Sequence, residues 1–265
     1  MPTDPTASGP ITTERLVADL RELGVPSGAT VMVHTSLRSL GWVVGGAQAV
    51  LAALRETVGP DGTVVMPTQS WQLCDPAFLA ETPPSWWPTI REHLPLYDPA
   101  TSPSQTMGAV AELFRTLPGA VRSAHPHRSI SAAGPQAARI TARHPLDCPS
   151  GEESPLGVLV ELDAWVLLLG VSAAKTTALH LAEHRADYPG KRTIGNGAAI
   201  CVDGVRRWVS WQELEVHDDD FVAVTEAFAA DTGLVQTHSV GAGQASLLPM
   251  RPLVDYAAGW FSTHR

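Results

Sequence analysis

Apolar runs of strand length alternate along this chain with segments whose apolar residues recur at helical spacing. The strand-like runs are rich in Val, Ile and Leu and are bounded by Gly, Pro or Asp: Thr30–His34, Gly62–Pro67, Trp165–Gly170 and Ala198–Val202. Helical spacing is found over Ile11–Leu23, Gly46–Val58, Met107–Thr116 and Thr176–Arg185. This alternation predicts an α/β fold in which helices cover a central sheet.

Two segments depart from the alternation. Residues 71–99 contain three tryptophans and five prolines ahead of Asp98. An insertion of this length is typical of a lid or binding loop, and a plain structured insertion is the alternative. Residues 198–210 predict a β-hairpin, because Asp203-Gly204 supplies the positive-φ turn between two apolar runs. Neither a repeat nor a linker divides the chain, so we predict one domain over residues 11–265.

Composition is that of a globular protein, with 44% hydrophobic and 17% charged residues among 265. No apolar run reaches membrane-spanning length, and residues 1–10 lack the basic and apolar regions of a signal peptide. We therefore expect a flexible tail over residues 1–10, no membrane partner and a cytoplasmic protein. The net charge of -9 argues against nucleic acid as a partner. Three cysteines without a CxxC pair argue against a disulfide framework and a cysteine zinc site.

A hydroxyl- and glycine-rich loop follows the first apolar run. Its hydroxyls belong to Thr35, Ser36 and Ser39, and Gly41, Gly45 and Gly46 would let backbone N–H groups approach a ligand closely. The following helix would direct its N-terminal N–H groups at the same place, which favours a pyrophosphate. The loop matches neither GxGxxG nor GxxxxGK[ST]. A simple strand-turn-helix connection is the alternative.

The second candidate is the helix after Trp165–Gly170. If Thr176 or Thr177 caps this helix, His180 and His184 lie one turn apart on one face, with Glu183 beside them. The HLAEH sequence fits the H-x-x-E-H pattern of zinc peptidases, in which two histidines bind zinc and the glutamate is a general base. Alternatively, one histidine is a general base without a metal.

A histidine base needs a partner that fixes its tautomer, usually a carboxylate. The segment after the predicted hairpin carries Glu213, Glu215, Asp218, Asp219 and Asp220. Glu213 and Glu215 would share one side if the segment is extended. A solvated acidic turn or a helix N-terminus is the alternative.

Together these segments resemble the aminoglycoside 3-N-acetyltransferase family over most of the chain, from about Leu16 to Leu234. The resemblance rests on an ordered set of short motifs: VHTSLRSLG at 33–41, GPDGTVVMP at 59–67, YDPATSP at 97–103, Met107-Gly, RSAHP at 122–126 with AAG at 132–134, LLLG at 167–170 and TTALHLAE at 176–183. It implies a single-domain α/β fold with a central mixed sheet, and acetyl transfer from acetyl-coenzyme A to an aminoglycoside antibiotic without a metal. A monomer or a homodimer is compatible with it.

Residues are carried over from the family by position. The resemblance implies that acetyl-coenzyme A is held by His34, Thr35, Ser36, Leu37, Arg38, Ser39, Gly41, Val43, Val44, Gly45, Gly46, Ser102, Thr106, Met107, Gly108, Arg122, Ser123 and His125. It implies that His180 is the catalytic base and that Glu213 is its partner, with Glu215 at a further acidic position implicated in the family. Which of the two glutamates pairs with His180 stays open.

A polycationic acceptor calls for an acidic cleft, and we expect Asp75, Asp98 and Asp218 to line it together with the two glutamates. The insertion at 71–99 would form one wall. Two alternatives remain at this point: a zinc hydrolase that uses His180, Glu183 and His184, and an acetyltransferase of the same fold that acts on another amine.

Overall fold

The structure, a computed structural model, describes residues 9–265. The tail predicted for residues 1–10 therefore lies, up to residue 8, outside the described residues. The strands are β1 (Thr30–Thr35), β2 (Thr63–Pro67), β3 (Val121–Arg122), β4 (Ile130–Ala133), β5 (Trp165–Leu169), β6 (Thr193–Val202), β7 (Val205–Leu214), β8 (Gln236–Val240) and β9 (Gly243–Pro249). The helices are α1 (Thr13–Glu22), α2 (Gly46–Val58), α3 (Trp87–His93), α4 (Gly108–Arg115), α5 (Ala137–Thr141), α6 (Pro155–Glu161), α7 (Leu179–Arg185), α8 (Phe221–Thr232) and α9 (Met250–His264).

Seven strands form the central sheet in the order β3-β4-β2-β1-β5-β9-β8. The middle strand β1 is parallel to β2 and to β5, whereas the outer pairings are antiparallel. The predicted α/β fold with a mixed sheet and flanking helices is confirmed. Among residues 9–265, no helix is both long and apolar enough to cross a membrane.

The core has two halves, one on each face of the sheet. Along β1, Met32 packs in one half, whereas Val31 and Val33 pack in the other, and all three are at most 1% exposed. Because the parallel strands are covered on both faces, they appear in the sequence as continuous apolar runs. Helices α1, α2 and α4 cover one face, and α5 to α9 cover the other.

The hairpin is longer than predicted. Strands β6 and β7 have ten residues each and form a separate two-stranded sheet, with Asp203 and Gly204 at φ +51° and +76° in the turn. Glu213 therefore lies within a strand and not after the hairpin. The insertion at 71–99 folds into short 3-10 turns and α3, and Arg206 of the hairpin donates hydrogen bonds to its Leu94 carbonyl oxygen.

Helix α7 begins later than predicted. Its N-cap is Ala178, which has no side chain to cap with, and Thr176 and Thr177 lie in the turn before it. Neither threonine therefore caps the helix, although His180 and His184 still lie on α7. The fully buried Thr176 has no hydrogen-bond partner for its hydroxyl. The turn after β5 nevertheless brings α7 to the carboxyl end of the sheet, which positions the site described next.

Candidate active site

A cleft of about 360 Å³ lies at the carboxyl ends of the parallel strands. Open α/β sheets bind ligands at this edge, at the point where the order of the strands reverses. Here β1 has β2 on one side and β5 on the other. The lining side chains that carry charge, hydrogen-bonding groups or aromatic rings include His34, Thr35, Gln69, Trp71, Thr106, Arg128, Lys175, Thr177, His180 and Asp218.

His180 and Glu183 form a hydrogen-bonded pair in this cleft. They are three residues apart on one face of α7, and His180 Nδ1 lies 2.6 Å from Glu183 Oε2. The Glu183 side chain is fully buried, whereas that of His180 is 17% exposed. Burial alone would raise the pKa of Glu183, but hydrogen bonds from His180, the His217 backbone and Arg265 hold that pKa below its ordinary value.

The pairing fixes the tautomer of the imidazole. An ionised carboxylate can only accept a hydrogen bond, so His180 Nδ1 must donate its proton to Glu183. The lone pair of a neutral ring is then on Nε2. Because His180 lines the cleft, this arrangement is that of a general base supported by a carboxylate.

Two further polar groups at the end of β1 have no partner. His34 Nε2 and Thr35 Oγ1 are buried without a hydrogen bond, although both residues line the cleft. Burial, and then the nearby charges of His180 and Lys175, lower the pKa of His34 to about 3, so its ring is neutral at physiological pH. Buried polar atoms normally have partners, so this pair fits a polar ligand in the cleft.

The predicted pairing of His180 with Glu213 is wrong. Glu213 Oε1 accepts hydrogen bonds from Arg128 at 2.7 Å and Asn196 at 3.2 Å, and Oε2 accepts one from Trp211 at 2.8 Å. The residue is 1% exposed. Its position in β7 directs it into the protein beneath the 71–99 insertion, whereas Glu183 is one helical turn from His180.

Glu215, the second predicted glutamate, is not a partner of His180 either. It forms a hydrogen-bonded ion pair with Arg192, whose side chain is 70% exposed. The open choice between Glu213 and Glu215 is therefore resolved in favour of neither, since the carboxylate that contacts His180 is Glu183.

The expected acidic lining is reduced to one of the three aspartates. Asp75 forms an ion pair with Arg91, with oxygen–nitrogen distances of 3.0 Å, and Asp98 caps its own turn by accepting from the Ala100 and Thr101 backbones. Only Asp218 of the three lines the cleft. Because Arg128 and Lys175 line it as well, the cleft has mixed charge, which corrects the prediction.

Some of the residues predicted to hold acetyl-coenzyme A reach this cleft, namely His34, Thr35, Thr106 and Met107. Beyond Thr35 the glycine loop has a backbone that favours glycine at three positions, with φ of +86° at Gly41, +82° at Gly45 and +56° at Gly46. Helix α2 follows directly, and its N-cap Gly45 offers no capping side chain. The side chain of the loop residue Val43 packs in the core, and its assignment as a ligand contact stays a prediction.

The residues predicted to hold acetyl-coenzyme A at Ser102, Arg122, Ser123 and His125 do not line this cleft, and these contacts stay predictions. All four are at most 8% exposed. Arg122 donates to the carbonyl oxygens of Thr68 and Ser102, and Ser123 Oγ bonds to the His144 ring. A guanidinium donates up to five hydrogen bonds, and here Arg122 uses them to hold loops behind the cleft together.

The zinc interpretation of HLAEH is not supported. His184 is on α7 with His180, but its Nδ1 lies 3.6 Å from Cys148 Sγ. Burial, and then the charge of Lys191, lower the pKa of His184 to about 4. Within residues 9–265, these two histidines and Glu183 do not come together with the spacing of metal ligands.

In that part of the chain, metal-ligand spacing occurs at His125, His127 and Glu213, whose ligand atoms lie within 4.8 Å of one another. Several of these atoms already have protein partners. His125 Nδ1 accepts from the backbones of His127 and Arg128, and both Glu213 oxygens accept hydrogen bonds. With Nδ1 as acceptor, a neutral His125 ring has its proton on Nε2, which is the wrong tautomer for a ligand at that atom.

Sequence reasoning missed Glu183 as the partner of His180 and missed Arg128, Lys175 and Arg265 altogether. The three-residue spacing in a helix was a sufficient signal for Glu183. For Arg128 and Arg265 no local signal exists, because their partners Glu213 and Glu183 are 85 and 82 positions away.

Comparison with known proteins agrees with this geometry. The family model described as aminoglycoside 3-N-acetyltransferase matches residues 32–262. The prophage-derived aminoglycoside N(3')-acetyltransferase-like protein YokD of Bacillus subtilis is 41% identical, covering 95% of this chain and 93% of its own. Its crystal structure superposes with a TM-score of 0.93, covering 97% and 95%.

Two further relatives extend the match. Aminoglycoside N(3)-acetyltransferase VII of Streptomyces paromomycinus is 39% identical over 96% of this chain and 92% of its own. The structure of AAC-IIIb in a binary complex with CoASH is 33% identical, has a TM-score of 0.86 and covers 97% of this chain and all of the other. The shared fold, the length of the match and the motif order agree. This chain belongs to the aminoglycoside 3-N-acetyltransferase family.

Proposed function

We propose that this protein transfers the acetyl group of acetyl-coenzyme A to the 3-amino group of a 2-deoxystreptamine aminoglycoside, and that this acetylation confers resistance to the drug. The observation that carries the proposal is the His180–Glu183 pair in the cleft at the carboxyl end of the sheet. Family membership supplies the reaction class, and the relatives are named for this position of the aminoglycoside.

His180 acts as the general base. An amine attacks a thioester only when it is neutral, and the nitrogen must lose a proton as the new C–N bond forms. His180 Nε2 takes that proton while Glu183 stabilises the imidazolium that results. As the C–S bond breaks, the proton passes to the departing sulfur, so that the products are the amide and the free thiol of coenzyme A.

Acetyl-coenzyme A is the co-substrate. The unpartnered His34 Nε2 and Thr35 Oγ1 support the presence of a polar ligand at the end of β1. The N-terminus of α2 and the glycine loop at 41–46 suit its phosphates, because unpaired N–H groups at a helix N-terminus favour anions. The relative solved with CoASH supports this choice of co-substrate.

The aminoglycoside binds on the other side of His180. Asp218 is exposed in the cleft and provides a carboxylate for one ammonium group of the drug. The Trp71 ring lines the cleft beneath the Arg128 guanidinium and provides an aromatic wall for a sugar ring.

The test is thiol release from acetyl-coenzyme A in the presence of aminoglycosides with a free or a blocked 3-amine. We expect release only with the free amine. His180→Ala should lower kcat by about 100- to 10,000-fold and leave the Kd of acetyl-coenzyme A unchanged. His184→Ala is the matched control, since His184 is on the same helix but contacts Cys148. Full turnover by His180→Ala, or release with a blocked 3-amine, contradicts the proposal.

A further inference from the structure

Arg265, the last residue of the sequence, contacts the carboxylate that supports His180. Its Nη1 donates to Glu183 Oε1 at 2.6 Å, and the His217 backbone N–H donates to the same oxygen at 2.8 Å. The other oxygen, Oε2, is the one bonded to His180. Each oxygen of the buried carboxylate thus has its own partner, so that rotating Glu183 away from His180 would break contacts on both sides.

The guanidinium is itself fixed in place. Its Nε and Nη2 donate to the two oxygens of Asp220, both at 2.7 Å, and Nη2 also donates to the His217 carbonyl oxygen at 3.1 Å. The guanidinium carbon lies 3.8 Å from the centre of the Phe261 ring and 5.2 Å from that of Tyr188. A bidentate pair combined with stacking is geometry that arginine provides and lysine does not.

The environment of this ion pair differs from that of the surface pairs of the same protein. The Arg265 side chain is 11% exposed and that of Glu183 is fully buried. By contrast, Arg251 at the other end of α9 pairs with Asp163, and their side chains are 44% and 75% exposed. Charges in a poorly hydrated place interact more strongly than surface charges, so Arg265 should affect Glu183 far more than Arg251 affects Asp163.

We propose that Arg265 is a positioning residue for acetyl transfer, which holds Glu183 against His180 Nδ1 and balances part of its negative charge. The proposal rests on the proposed function, because it assigns His180 the role of base. His180, Glu183, Arg265 and Asp220 form, in that order, one hydrogen-bonded chain of side chains. This chain connects α7, the residue after α9 and the start of α8.

The charge of Arg265 offsets part of the negative charge that Glu183 presents to His180. Without Arg265, the full carboxylate charge of Glu183 acts on the ring. The other titratable or charged groups near the pair are His34 on β1, Lys175 before α7, His184 on α7, Tyr188 after α7, and His217, Asp218 and Asp220 before α8.

The experiment compares Arg265→Ala, Arg265→Lys and the matched control Arg251→Ala. We expect Arg265→Ala to lower kcat about tenfold, to change the KM for acetyl-coenzyme A less than twofold, and to move the acidic limb of the kcat/KM profile up by about one pH unit. Arg265→Lys restores the charge but not the bidentate geometry, so the limb should return towards the wild-type position while part of the kcat loss remains. Arg251→Ala should match the wild-type protein in kcat and in its pH profile.

A second measurement does not depend on turnover. The NMR signal of the His180 Nδ1 proton, which is hydrogen-bonded to Glu183 in the free protein, should shift or broaden in Arg265→Ala and stay unchanged in Arg251→Ala. If the wild-type protein releases no thiol with any aminoglycoside, the proposed function fails, and this NMR signal still tests Arg265. Should Arg265→Ala not fold, Arg265→Lys and Asp220→Asn undergo the same measurements. An unchanged His180 Nδ1 proton signal together with an unchanged pH profile of kcat/KM overturns the proposal, even where thermal stability falls.

Discussion

Replacing Glu183 by Gln tests the assignment of the catalytic pair most directly. Glutamine has the shape of glutamate but no charge, so the change removes the anion that stabilises a protonated His180 while it keeps the volume of the fully buried side chain. In the wild-type protein the His180–Glu183 bond is 2.6 Å long. Such short, charge-assisted bonds are about twice as strong as neutral ones.

The magnitude follows from the loss of one charged hydrogen bond in the transition state. A hydrogen bond to a charged group contributes about 1.5 to 3 kcal/mol. Every 1.36 kcal/mol is a factor of ten in rate, so kcat should fall by roughly 10- to 150-fold. If the amide nitrogen of the introduced glutamine turns towards His180 Nδ1, it donates to that atom, so that the proton of the neutral imidazole moves to Nε2 and the lone pair there is lost. The fall in kcat is then larger than this range.

The assay is steady-state thiol release, combined with denaturant unfolding to confirm that the variant is folded at the assay temperature. Glu215→Gln is the matched control, because Glu215 is also a glutamate paired with an arginine but does not contact His180. We expect the kcat of Glu215→Gln to stay within twofold of the wild-type value. The reasoning is refuted if Glu183→Gln retains its kcat, and equally if Glu215→Gln shows the larger loss.

Three further predictions concern the surroundings of the pair. Glu213→Gln should lower the free energy of unfolding by about 3 kcal/mol, because it leaves the charge of Arg128 buried without its partner, and urea unfolding that matches wild type would contradict this. Desolvation lowers the pKa of the buried His34 and of the half-buried His144 to about 3, against 6.5 when unfolded, so the unfolded chain binds more protons below pH 6.5. From pH 7 to pH 5 the free energy of unfolding should therefore fall by about 2 kcal/mol for each of these histidines. Urea titrations that give the same free energy of unfolding at both pH values would rule this out. Asp218→Asn should raise the KM for the aminoglycoside up to about fivefold and leave the KM for acetyl-coenzyme A unchanged. Equal changes in the two KM values would contradict the assignment of Asp218 to the acceptor site.

Local sequence signals were sufficient for most of the fold. Strands β1, β2 and β5 were predicted to within a residue because strands buried on both faces must be apolar throughout. The turn at Asp203-Gly204 was predicted because few other pairs tolerate two positive φ angles. Helix α7 was predicted to begin at Thr176 but begins at Leu179, because residues 176–178 form the turn between the 3-10 turn Ala173–Lys175 and the helix.

The sequence by itself determined the family and the α/β fold, and it predicted His180, which the structure places in the cleft, because each depends on short-range patterns or on an ordered set of motifs. Only the tertiary structure decided which carboxylate supports that histidine and which charges are free to meet a ligand. Glu213 and Asp75 carry the same charge in the sequence as Asp218, but arginines 85 and 16 positions away neutralise them in the fold. The state of an ionisable group depends on its neighbours in space, and the chain order does not record which distant residues those are.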